Sequence, residues 1–212
     1  MTCPICNQRK VKRFCPARGA NICAICCGTE REVTIDCPAD CVHLAASRRY
    51  DAGRLGRDRA LLPFADVEIP IEFAQSHSAL LIALSDAIWQ YAREHRPVVD
   101  TDVVAALEAL AQTYRTLSSG LYYEKPPEYL YRRELYQALK VNLEEFKKAE
   151  AQRQGLATTR DSQIRDLLIF FTQLGALRSN GRPKGRAFLD LIREWLGPET
   201  TSKTESNIVL LG

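Results

Sequence analysis

The chain has 212 residues, of which 46% are hydrophobic and 26% are charged, and its formal net charge is +3. These values are typical of a soluble protein that is long enough for a small metal-binding module and one helical domain. They argue against a membrane-spanning protein, because no apolar run approaches the roughly 18 residues that such a helix needs. A net charge this small does not by itself indicate nucleic-acid binding.

The N-terminal stretch is distinguished by its cysteines, which are absent from the rest of the chain. Two pairs, Cys3 with Cys6 and Cys23 with Cys26, have the C-x2-C spacing with which one tight turn directs two thiolates at one cation. Cys37 and Cys41 are four residues apart, which predicts that both sulfurs lie on one face of a short helix reaching about Ala52. The eight candidate metal ligands are Cys3, Cys6, Cys15, Cys23, Cys26, Cys27, Cys37 and Cys41.

Eight thiols are enough for two four-sulfur zinc sites, so we expect about two zinc ions per chain. Cys26 and Cys27 are adjacent, point in different directions and can therefore serve different ions, and their roles can be exchanged. His43 could replace Cys15 or Cys27, but a lone histidine on a short helix more often packs or forms hydrogen bonds. Our partition assigns Cys3, Cys6, Cys23 and Cys26 to one ion and Cys15, Cys27, Cys37 and Cys41 to the other.

Cysteines also form disulfides, iron–sulfur clusters and redox-active pairs. Disulfides are usual in short secreted chains, but Met1-Thr2-Cys3 leaves no room for a signal peptide, so we expect reduced thiols in the cytoplasm. Iron–sulfur clusters also use four thiolates and stay the main alternative, although none of the ferredoxin spacings is present. A thioredoxin-like redox pair would require a βαβ context, which the sequence lacks.

Residues 3–43 resemble the double-zinc modules of the cross-brace and treble-clef kind, as in B-box and MYND domains, where successive ligand pairs alternate between two ions. The stretch is also similar to the cysteine-rich N-terminus of an uncharacterised bacterial family, from which no function follows. Cys15 stands alone where those zinc modules usually have a close pair, and Cys27 is an additional cysteine. The cross-brace resemblance implies a protein-interaction module.

The remainder of the chain predicts a mainly α fold. Apolar residues at helical spacing predict a bundle of about five helices, with Asp100 or Thr101 capping the second of them. Pro63, Pro70 and an alternating apolar pattern predict an extended connector before the bundle. The expected organisation is a zinc-binding module at 1–52, an extended linker at 53–74, a helical bundle at 75–197 and a flexible tail at 198–212, whose apolar end could dock back or bind a partner.

Three further segments are candidate binding surfaces. Arginine is frequent in 48–59, and residues 178–186 carry four positive charges around Gly181-Arg182-Pro183-Lys184, which is similar to the core of an AT-hook. We favour a solvated linker and a helix-connecting loop for these two segments over phosphate-binding edges. Tyrosines between Tyr122 and Tyr136 lie near Arg132 and Arg133, a composition typical of binding hot spots, although large rings also fill joints between helices.

The sequence contains no motif of a nucleotide-binding, hydrolase or metalloprotease active site. Four-cysteine zinc sites are closed, whereas catalytic zinc keeps a position for water. The sequence therefore predicts a non-enzymatic zinc-binding interaction or adaptor protein with a protein partner. The alternative is a nucleic-acid-binding regulator that uses segments 48–59 and 178–186, and a third hypothesis is a redox or zinc-responsive sensor with a labile thiolate.

Overall fold

The computed structural model describes residues 1–55, 59–156 and 158–197, and the fold within them is mainly helical, as predicted. The N-terminal part contains two short strands and the first two helices, and the remaining helices form a second, larger unit. The strands are β1 (Arg13–Cys15) and β2 (Ala20–Ile22), and the helices are α1 (Ala24–Glu30), α2 (Val42–Leu55), α3 (Ile71–Ser76), α4 (Ser78–Glu94), α5 (Asp100–Ser118), α6 (Leu130–Gln154), α7 (Asp161–Arg178) and α8 (Ala187–Leu196).

The N-terminal unit is built on an antiparallel hairpin. Strands β1 and β2 pair with Cys15 opposite Ala20, and Gly19 closes the turn between them in the left-handed conformation, at φ +60°. Glycine suits this position because it has no Cβ to clash with the backbone. The core cluster of this unit consists mostly of cysteines, together with Ile22 and Ile35, and Leu44 of α2 is also fully buried.

The helical unit is organised around α5, which packs against α6, α7 and α8. Val103, Leu107 and Leu110 are fully buried on its core face. Helix α7 comes closest to α5 at Gly175, where a Cβ atom would lie 2.7 Å from Cγ2 of Val104. A glycine is therefore required for this helix contact. None of the helices in the described ranges is long and apolar enough to cross a membrane.

The segment before the bundle differs from the prediction. The five helices expected after residue 75 correspond to α4 to α8, but the supposed extended linker 53–74 contains the end of α2, a 3-10 turn at Arg59–Leu61 and the start of α3. The alternating pattern around Ile71 and Phe73 suggested an extended chain, yet Phe73 packs against the core from a short helix that begins after Pro70. Proline is common at helix starts because it has no amide hydrogen to leave unpaired. Residues 56–58 of the linker, and the whole predicted tail 198–212, lie outside the described residues.

Candidate metal centre

The first predicted ligand set is brought together by the fold. The sulfur atoms of Cys3, Cys6, Cys23 and Cys26 all lie within 4.8 Å of one another, and those of Cys6 and Cys23 are 4.0 Å apart. A tetrahedron with zinc–sulfur bonds of about 2.3 Å has edges of about 3.8 Å. The four thiols therefore fit one tetrahedral ion of the size of zinc, and the space between them suits a single ion better than a cluster of several irons.

The first pair of thiols lies in a tight turn at the N-terminus. The amide of Asn7 donates to the carbonyl of Cys3 at 2.8 Å, and the amide of Cys3 donates to the carbonyl of Arg9 at 2.8 Å. Asn7 adopts the left-handed conformation at φ +52°, which asparagine tolerates better than most residues. This turn folds the chain back so that Cys3 and Cys6 face the same point.

The second pair lies where β2 leads into α1. Cys23 is the residue before the helix, in an extended conformation, and Cys26 belongs to the first turn. The amide of Cys26 donates to the sulfur of Cys23 at 3.3 Å, so the Cys23 thiol caps the helix. The hairpin thus carries the second pair to the first, and the C-x2-C spacing produces the geometry that the sequence predicted.

The electrostatics of the four thiols favour a bound cation. Backbone amides of Gln8 and Arg9 lower the pKa of Cys6. Burial acts to raise the pKa of Cys3, but hydrogen bonds from surrounding amides outweigh it and lower that pKa to about 6. Burial and the neighbouring sulfurs raise the pKa of Cys26 to about 12. The site can therefore stabilise some thiolates by itself, but the full set of four becomes ionised only when a cation offsets their mutual repulsion.

Comparison with protein-family models, curated proteins and solved structures gives no match. The nature of the centre is therefore inferred from its geometry and chemistry.

The second predicted ligand set is not assembled in the same way. Within the described residues, the group of close thiols comprises the first set alone. Cys15 ends β1, Cys27 lies in α1, and the Arg31 guanidinium is 3.7 Å from the Cys27 sulfur. Burial raises the pKa of Cys37, and the nearby sulfurs of Cys41 and Cys15 raise it further. A second ion remains a prediction.

The expected helical face for Cys37 and Cys41 was wrong. Helix α2 starts at Val42, and Cys41 instead ends a turn in which its amide donates to the carbonyl of Pro38 at 3.0 Å. That hydrogen bond spans three residues rather than four, so Cys37 and Cys41 are not stacked one helical turn apart. His43 lies half-buried at the start of α2 and is not part of the close group of thiols.

The basic loop 178–186, a candidate phosphate-binding segment, contacts the cysteine-rich unit instead. One guanidinium nitrogen of Arg182 donates to the carbonyls of Gly28 and Arg31. The amide of Lys184 donates to the carbonyl of Glu32 at 2.8 Å, and its ammonium group donates to the carbonyl of Thr34 at 2.9 Å. Two of the four positive side chains of this loop are thus directed at the end of α1 and the segment that follows it.

A buried carboxylate completes this junction. Glu32 is 1% exposed and accepts hydrogen bonds from Arg48 at 2.9 Å and from the side-chain amide of Asn180 at 2.7 Å. Arg48 also pairs with Asp190 of α8 at 2.7 Å. We call this group, with Arg182 and Lys184, the junction network. It holds the cysteine-rich unit against α7 and α8, and sequence reasoning missed it because nothing in the local pattern marks Glu32 as buried.

The sequence left two alternatives for the tyrosines between Tyr122 and Tyr136, a binding surface or the filling of a helix joint, and different tyrosines match each. Tyr136 is fully buried, and its hydroxyl bonds with Thr113 at 3.0 Å and Glu124 at 2.9 Å, so it fills a helix joint. Tyr122, Tyr123 and Tyr129 are more than half exposed, with values of 63%, 60% and 71%. The exposed rings stay available for contact with another molecule.

Proposed function

We propose that this chain is a non-enzymatic zinc protein in which a metal-held module and a helical bundle present surfaces to a protein partner. The observation that carries this proposal is the compact group of four thiols at Cys3, Cys6, Cys23 and Cys26. A four-sulfur zinc site has no open position for water or substrate, so its role is to fix the polypeptide around it. A module of about 40 residues has too small an apolar core to be stable without such support.

The order of elements supports a treble-clef type of module. A ligand-bearing turn comes first, the β1–β2 hairpin follows, and the second ligand pair lies at the start of α1. The resemblance to B-box and MYND domains implies a protein-interaction module. A second zinc ion on Cys15, Cys27, Cys37 and Cys41 is part of the proposal, supported by the packing of Cys15, Cys27 and Cys37 in one buried cluster.

A cytoplasmic location is also part of the proposal. All eight cysteines are free thiols, a state that persists in a reducing compartment. The nucleic-acid alternative is less favoured because Arg48, Arg182 and Lys184 from the two basic segments make internal contacts in the junction network. Arg186 likewise donates to the carbonyl of Arg96 at 3.0 Å.

Metal analysis combined with X-ray absorption spectroscopy tests the proposal on the purified chain. We expect zinc, at a ratio of two ions per chain, with a ligand shell of sulfur at about 2.3 Å. Replacing Cys23 by serine should remove one ion, and replacing Cys37 by serine should remove the other. A water oxygen among the metal ligands of the Cys37→Ser protein, where the first site alone is loaded, would indicate an open position of the catalytic kind. Iron in place of zinc would also overturn the proposal.

A further inference from the structure

A groove runs along the surface of α5, and one end of it reaches Ser179 and Gly181 of the basic loop. It consists of two adjoining cavities of ≈ 390 Å³ and ≈ 300 Å³, which share Ala105 and Glu108. The α5 residues along its floor run from Thr101 to Thr113, a distance of about 18 Å at 1.5 Å per residue. An extended peptide of about five residues has the same length. We call this feature the α5 groove.

One wall of the α5 groove is held in an unusual backbone conformation. Phe64 has a φ of +55°, which is rare for a residue with a bulky side chain. The side-chain amide of Gln173 fixes this loop by donating to the carbonyl of Phe64 at 3.0 Å and to that of Val67 at 2.9 Å. Such strain persists where surrounding contacts enforce it, and it is most frequent at functional sites. The wall is therefore preformed.

The opposite wall is rich in proline and tyrosine. Pro126 and Pro127 are half-buried, and the exposed ring of Tyr123 lies beside them. The hydroxyl of Thr116 donates to the carbonyl of Tyr123 at 3.2 Å and ties this wall to α5. Flat rings and prolines bind extended chains well because they offer apolar area with little loss of conformational freedom.

The charge along the α5 groove is negative. Glu108 lies where the two cavities meet, it is exposed, and its carboxylate forms no hydrogen bond or ion pair with any residue that the structure describes. Glu128 adds a second carboxylate to the lining, and Lys125 contributes one positive charge. An anionic partner such as a nucleic acid is therefore disfavoured. A basic side chain would gain a partner at Glu108.

We propose that the α5 groove binds an extended segment of a partner protein that carries one Lys or Arg between apolar residues. The basic side chain pairs with Glu108, and the flanking apolar side chains enter the two cavities on either side. This proposal rests on the interaction function proposed above, and it specifies the surface and the chemistry of the partner.

Selection from a library of random 12-residue peptides displayed on phage tests the proposal, with the zinc-loaded full chain as the target. We expect enriched peptides that share a Lys or Arg flanked by apolar residues. Binding of a synthetic enriched peptide should weaken on the order of tenfold in Glu108→Arg, which corresponds to about 1.4 kcal/mol, and less in Glu108→Gln. Glu145→Arg, an exposed position on α6 outside the groove, is the matched control and should bind normally.

Each other outcome overturns the groove proposal. These outcomes are the absence of enriched peptides, enrichment of peptides without a basic residue, and binding that Glu108→Arg leaves unchanged. If peptides bind only after residues 198–212 are deleted, the occupant is the chain's own tail, and if Glu108→Arg alters the sedimentation of the chain alone, it is a second copy. The spectroscopic test of the zinc site does not depend on this selection, so the two proposals can fail separately.

Discussion

The cysteine-rich unit and the helical unit reach a folded state by different means. Of the six buried residues in the core cluster of the first unit, four are cysteines, and the other two are Ile22 and Ile35. The helical unit instead buries a continuous set of leucines, isoleucines and aromatic residues contributed by α3 to α8. Apolar area can therefore stabilise the helical unit, whereas under our proposal the first unit gains most of its stability from bonds between its thiols and a cation. Removing the metal and removing buried apolar area should therefore destabilise different units of the molecule.

Removal of metal should have the largest effect. A chelator strong enough to take zinc from four thiolates removes on the order of 10 kcal/mol of binding free energy, which for such a module is folding free energy. In NMR spectra, we expect the amide resonances of residues 1–41 to lose their chemical-shift dispersion, while those of α4 to α8 keep it. Addition of zinc should restore the first set, and simultaneous loss of both sets would show that the two units are not independently stabilised.

A cavity in the helical core should destabilise the helical unit and leave the cysteine-rich unit unchanged. Leu107 is fully buried in α5, and Leu107→Ala should lower the free energy of unfolding of the helical unit by about 3 kcal/mol. Urea titration followed by circular dichroism measures this change. The zinc content of Leu107→Ala should stay that of the wild type. Val141→Ala is the control, since Val141 is 55% exposed on α6 and the substitution should change stability by less than about 0.5 kcal/mol.

The junction network provides a change that should loosen the contact between the two units without unfolding either. Glu32→Gln keeps the size of the side chain and removes the charge that pairs with Arg48, at a cost of about 2 kcal/mol for a largely buried pair. We expect faster hydrogen exchange at the Lys184 amide, which donates to the carbonyl of Glu32. Glu30→Gln is the matched control, because the side chain of Glu30 bonds to Thr34 within the cysteine-rich unit. Equal exchange rates in the two variants would contradict the role given to Glu32.

The mainly α fold could be predicted because apolar spacing reports directly on buried helix faces, as Leu84, Leu107 and Leu168 show. The close group of Cys3, Cys6, Cys23 and Cys26 could be predicted because C-x2-C is a local geometry. Contacts between distant parts of the chain leave no such local signal. The sequence gives no reason for Arg182 to reach the carbonyl of Gly28, and a loop with four positive charges looks solvent-exposed until that partner is seen.

Asp100 is a second case in which a contact between distant parts of the chain could not be predicted from the sequence. The sequence predicted that Asp100 or Thr101 caps α5, but Val99 is the residue before that helix and Asp100 is its first residue. The carboxylate of Asp100 instead accepts from the amides of Phe188 at 3.0 Å and Leu189 at 3.1 Å. It caps the start of α8. Asp100 does cap a helix, but the identity of the helix that it caps depends on tertiary packing.

The smallest expected effect is a dependence of stability on pH that belongs to the helical unit. Burial raises the pKa of Asp100 from 3.8 to about 7, and the amides of Phe188 and Leu189 offset only part of this rise. The folded state therefore binds the proton more tightly than the unfolded state, so the contribution of Asp100 is full below pH 3.8 and is lost as pH rises through about 7. Between about pH 5.5 and 7.5, the free energy of unfolding of the wild type, relative to Asp100→Asn, should fall by at most about 1.4 kcal/mol per pH unit. Urea titrations of both zinc-loaded proteins across this range measure the difference, and a rise with pH would show that the two amides outweigh burial. Zinc content measured in the same samples should stay constant, since loss of metal would shift the effect to the other unit.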